Sequence, residues 1–95
     1  MTVHWTAEAY ADLDAIFAHI AQDDPAAGAR VVDRVETYAT EQLELFPESG
    51  RQGRAASTRE LVVPDFPYIV AYEIIEREVR VLGVIHGKRR WPSTF

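Results

Sequence analysis

From Thr6 to Pro47 apolar residues recur every three or four positions, whereas from Thr58 to Ile85 they crowd into short β-branched runs. The change of period divides the chain into a helical half and a strand half. Tyr10, Leu13, Ile16, Phe17 and Ile20 form one stripe on a first helix, with Thr6 placed to cap it. "QDDPAAGAR" interrupts the pattern and restarts it. Asp24 is a good N-cap, and Pro25 suits the first helical position, where a backbone N–H has no intrahelical acceptor. Val31 or Val32, Val35, Tyr38 or Ala39, Leu43 and Phe46 carry a second stripe to Pro47. Asp12, Asp14, Asp33, Glu36, Glu41 and Glu44 then fall mostly on the solvated face. So short a link predicts an antiparallel helical hairpin.

The strand half opens after "FPESGRQGRAAS", whose Gly, Ser and Arg content predicts a loop. "TRELVV", "YIVAYEII" and "VRVLGVI" read as strands, and the short breaks "PDFP" and "EREV" return the chain as an antiparallel meander. In the middle strand Tyr68, Val70, Tyr72 and Ile74 share one face, and Ile69, Ala71, Glu73 and Ile75 the other. Apolar residues on both faces predict that one packs on the helices while the other is partly exposed or meets a partner. With Val3 and Trp5 as a short leading strand, the expected fold is α+β: an N-terminal strand and an antiparallel helical hairpin packed on a small antiparallel sheet.

Ninety-five residues make one domain, spanning 1–95, near the size at which a partner often contributes to stability. With no cysteine, disulfides and thiolate metal sites are excluded, which fits a reducing cytoplasm. No basic, apolar leader opens the chain, and no stretch approaches the roughly 20 apolar residues of a membrane span. A cytoplasmic protein is expected. The net charge of -5 conceals a division: residues 1–48 carry ten acids and two bases, residues 49–95 five acids and eight bases. Acidic helices disfavour anionic lipid, so no membrane partner is expected. The densest positive charge is Lys88, Arg89 and Arg90, next to Trp91.

In order and spacing, "PAAGARVVDRVETYATEQLELFPESGRQGR", "TRELVVPDFPYIVAYEI" and "VRVLGVIHGKRRWP" resemble the RelE/ParE superfamily, toxins of bacterial type II toxin–antitoxin modules. The resemblance implies the toxin of a plasmid-stabilisation or addiction module, neutralised by a cognate antitoxin in a hetero-oligomer. It also implies one of two targets. ParE-like members inhibit DNA gyrase, and RelE-like members cut messenger RNA on the ribosome as metal-independent endoribonucleases. A third possibility is an inert module that retains only antitoxin binding.

The RelE-like pattern places basic residues on the first meander strand, an arginine after the tyrosine opening the next strand, a "GKR" after the last strand, and a terminal tyrosine. Arg59 fits the first and Gly87, Lys88 and Arg89 the third, but Ile69 follows Tyr68 and Phe95 stands near the tyrosine's place. An isoleucine holds no phosphate, and a phenylalanine exchanges no proton. These departures favour gyrase. If the chain is an endoribonuclease, His86, Arg89 and Arg59 are its candidate catalytic residues, because imidazole titrates near neutrality and cations stabilise phosphorane charge. Arg59, Lys88, Arg89, Arg90 and Trp91 are the candidate target- or antitoxin-binding residues. Structural alternatives stand beside each: a hydrogen-bonded strand-end His86, an ion pair of Arg59 with Glu60, and a solvated basic terminus. Paired Asp12 and Asp14 read best as a solvated helix face. His4, His19 and His86 have no compact ligand spacing, so neither a metal nor a cofactor is expected.

Overall fold

The computed structural model describes residues 1–87. Strand β1 (Thr2–Trp5) leads into helices α1 (Ala7–Ala21) and α2 (Pro25–Leu45). Strands β2 (Arg51–Gln52), β3 (Arg59–Val62), β4 (Tyr68–Ile75) and β5 (Glu78–His86) follow. The sheet order is β1-β5-β4-β3-β2; β1 runs parallel to β5, and every other pairing is antiparallel. Strand β2 lies inside the segment expected to be a loop, where two polar residues show no alternation to read.

Side chains at the predicted positions start both helices. The Thr6 hydroxyl accepts from the Ala9 N–H at 3.1 Å and donates to the Val81 carbonyl at 2.8 Å, so one cap also fastens α1 to β5. Asp24 accepts from the Ala27 N–H at 3.1 Å, with Pro25 opening α2. The hairpin closes tightly at Gly28. A Cβ there would lie 3.2 Å from both Cδ1 and the carbonyl oxygen of Phe17.

The core lies between hairpin and sheet. It takes Ala9 and Leu13 from α1, Val35, Ala39 and Leu43 from α2, and Leu61, Val70, Tyr72, Val79 and Val81 from the strands. Both helical stripes are wider than the surface they cover. Tyr10 and Phe17 of the first, and Phe46 of the second, are exposed rather than buried. Phe46 caps the C-terminus of α2 with φ -133°, so its side chain leaves the helical stripe. On the sheet, Tyr68, Val70 and Tyr72 join the helix-facing core, and Ile69 and Ala71 of the alternate set are buried as well.

A register shift sets the end of β5. Ala71 pairs with Gly83 but Tyr72 with Val81, leaving Leu82 as an extra residue. The bulge changes which residues face the helices: Val79 and Val81 before it, Val84 and His86 after it.

Candidate target and antitoxin surface

Strand β1 ends opposite Val81, while β5 continues to His86. Among the described residues, no strand therefore lies beside the outer edge of β5 beyond Val81, and α1 packs there instead. Asp12, expected on a solvated face, turns inward, and its Oδ2 accepts from the Val84 N–H at 2.9 Å. A carboxylate thus satisfies a strand-edge donor that would otherwise remain open. Between α1 and the end of the sheet lies a cleft of about 420 Å³, lined by Asp12, Ala15, Ile16, His19, Tyr68, Val84 and His86. His86 is half-buried, with its ring edge-on to Tyr68 at 5.7 Å and 84°. The bulge at Leu82 makes this placement possible, since without it His86 would point to the opposite face.

Arg59 lies elsewhere. It pairs in register with Tyr72, whereas His86 pairs with Tyr68, so the two are four residues apart along β4 and on opposite flanking strands. Strand geometry then separates their backbones by roughly 16 Å. The Arg59 guanidinium donates to the Glu48 and Gly50 carbonyls at 3.2 and 3.0 Å. Glu60, its neighbour, points to the other face, because consecutive strand residues alternate. The Arg59–Glu60 ion pair, the structural alternative for Arg59, therefore gives way to another network. Glu60, only 2% exposed, accepts from Arg51 Nη2 at 3.0 Å and from the Arg54 backbone N–H at 3.0 Å. The buried carboxylate organises the arginine-bearing loop between β2 and β3. Sequence reasoning missed Glu60, although a glutamate flanked by Arg51, Arg54 and Arg59 was the available signal.

Tyr72 fastens the same region from within. Fully buried, its hydroxyl donates to the Pro47 carbonyl at 2.8 Å and accepts from the Gly50 N–H at 2.9 Å. Burial raises its pKa above the ordinary tyrosine value, opposed by the Gly50 hydrogen bond and the Arg59 cation, while Glu48 adds a smaller push upward. A phenol so placed is a structural bond rather than a neutral-pH proton donor. Gly50 is required beside it, because a Cβ there would stand 2.6 Å from the hydroxyl oxygen.

Lys88, Arg89, Arg90 and Trp91 lie outside the described residues. Among the described residues, no group of three or more His, Asp or Glu side chains is arranged to hold a metal, and no helix is long and apolar enough to cross a membrane.

A helical hairpin packed on a mostly antiparallel sheet, with one parallel leading strand, is the α+β fold of the RelE/ParE toxins. The fold matches a solved structure, the chromosomal ParDE TA system from P. aeruginosa, with a TM-score of 0.81 at 24% identity, covering 90% of this chain and 95% of that one. The model of the family described as ParE toxin of type II toxin-antitoxin system, parDE, matches residues 3–91, and the chain belongs to that family. Among its relatives, Y4kP of Sinorhizobium fredii is 50% identical over 93 residues, covering 98% of this chain and 95% of the relative. The toxin RelE2 of Caulobacter vibrioides is 37% identical over 87 residues, covering 92% and 96% respectively. The chain is a ParE-like toxin of a type II toxin–antitoxin system.

Proposed function

We propose that this toxin arrests growth by inhibiting DNA gyrase, and that a cognate antitoxin neutralises it by covering the basic end of the chain. The placement of Arg59 carries the choice of target. Its guanidinium is committed to two loop carbonyls, two strands away from His86, so the described residues do not assemble the cations and acid–base group that RNA cleavage needs. Ile69 stands where the RelE-like pattern has an arginine and is buried. A toxin acting by protein contact needs no such apparatus. Lys88, Arg89, Arg90 and Trp91 are then its target- and antitoxin-binding residues, a cationic run beside an aromatic anchor that an acidic antitoxin segment would neutralise. Where the toxin outlasts its antitoxin, cells that lose the encoding element die, which stabilises that element.

One observation favours a second reading, ribosome-dependent cleavage of messenger RNA. His86 borders an open cleft beside Tyr68, where an imidazole could exchange a proton. Induction of the toxin without antitoxin separates the readings. Gyrase inhibition predicts a DNA-damage response preceding any fall in protein synthesis. Immediate translation arrest with no damage response supports cleavage, and unimpaired growth indicates an inert module.

A further inference from the structure

The end of the helical hairpin farthest from its turn carries a second surface. Leu45 is 73% exposed and Phe46 58% exposed, and both border an open depression of about 410 Å³ with Pro47, Glu48 and Ser49. Met1, 44% exposed, reaches the same place, for its amino group donates to the Glu44 carbonyl at 2.8 Å. Leucine and phenylalanine side chains left in water forgo the free energy of burial, so an adjacent pair at one tip points to an occupant.

Charge says what kind. Glu41, Glu44 and Glu48 surround the apolar residues, all three exposed. Helix C-termini expose unpaired carbonyls and attract cations, yet the last turn of α2 contains no basic side chain. Among the described residues, two cations approach this end, the Met1 amino group on the Glu44 carbonyl and the Arg59 guanidinium on the Glu48 and Gly50 carbonyls; they lie on backbone oxygens, where they offset the negative end of the helix dipole, and leave the three carboxylates unpaired with them. The tip is thus an apolar knob with an acidic rim.

We infer that Leu45 and Phe46, rimmed by Glu41, Glu44 and Glu48, form a docking knob for the protein target, which presents an apolar socket edged with lysine or arginine. The inference rests on the proposed toxin activity and adds a contact surface to it. An antitoxin acidic enough to neutralise Lys88, Arg89 and Arg90 would be repelled by this rim. The occupant of the knob is therefore the target rather than the antitoxin.

Two variants test it: Leu45→Ser with Phe46→Ser, which removes the knob, and Glu44→Lys with Glu48→Lys, which reverses the rim. Each is induced without antitoxin and scored by viable count, then purified with the antitoxin from the adjacent reading frame and melted. Both should raise survival at least tenfold, form the antitoxin complex with affinity within about threefold of wild type, and melt within a few degrees of it. If the serine variant fails to fold, the rim variant decides. Wild-type toxicity in a folded variant overturns the inference, as does loss of antitoxin affinity in step with toxicity, which would make the tip an antitoxin site. If wild type arrests growth without touching gyrase, the gyrase reading fails while the viable counts still judge the knob. If wild type leaves growth unimpaired, both fall.

Discussion

The Tyr72 hydroxyl joins the middle strand to the loop after α2, and its removal should show how much that junction contributes. Tyr72→Phe keeps the ring but strands the buried Gly50 N–H and the Pro47 carbonyl without their partner. Unmet hydrogen-bonding groups of this kind cost about 1–3 kcal/mol, so urea unfolding should show a loss of that size. The raised pKa makes a second prediction, with a definite sign. Because the folded state favours the neutral phenol, its contribution is intact below the unfolded value near 10 and is lost as pH rises through the higher folded value. Wild type should lose stability above about pH 10 more steeply than Tyr72→Phe, as measured by denaturant midpoints across that range. From the sequence, Tyr72 was legible as a core residue. Its hydroxyl partners were not, because they are backbone groups 25 and 22 residues away, in a segment with no periodicity.

The turn between β4 and β5 and the edge of β5 beside α1 each depend on a local choice that can be tested. Ile75 pairs with Glu78, leaving Glu76 and Arg77 as a two-residue turn with φ of 50° and 65°. Such a turn needs left-handed backbone at both positions and prefers Asn-Gly, so Glu-Arg holds strain here. Glu76→Asn with Arg77→Gly should stabilise the fold by about 1 kcal/mol, raising the melting midpoint by roughly 4–8 °C. At the edge, Asp12→Ala leaves the Val84 N–H without its acceptor and should cost about 1–2 kcal/mol by chemical denaturation. Asp12→Asn keeps an oxygen in place and should recover a good part of that. Element types and most boundaries were readable, since the helical stripes, Thr6, Asp24-Pro25 and the β-branched runs agree on one arrangement. The side of the sheet on which His86 sits was not, because a one-residue bulge at Leu82 leaves the apolar pattern unbroken while reversing every position after it.

At the scale of the whole molecule, the acidic helices pack on the sheet that carries most of the basic residues, and Arg59 of the basic half reaches the Glu48 carbonyl at the end of α2. The order of strand, hairpin and meander was legible in the chain and identified the superfamily; the separation of Arg59 from His86 was not, because it depends on which strands become neighbours. If the basic terminus binds both target and antitoxin through solvent-facing cations, Arg89→Ala with Arg90→Ala should reduce toxicity with little change in melting, since cations of that kind contribute little to stability. Association of wild type with antitoxin should slow as salt rises, because screening acts over about 10 Å at 0.1 M, and the double variant should lose most of that dependence. Stopped-flow rates over a salt series measure both. The choice of target is tested most directly by titrating toxin, freed of antitoxin, into purified gyrase supercoiling relaxed plasmid, with ribosome-bound messenger RNA incubated in parallel. Supercoiling should fail while the messenger stays intact; unimpaired supercoiling together with cuts at the ribosomal A site would contradict gyrase as the target.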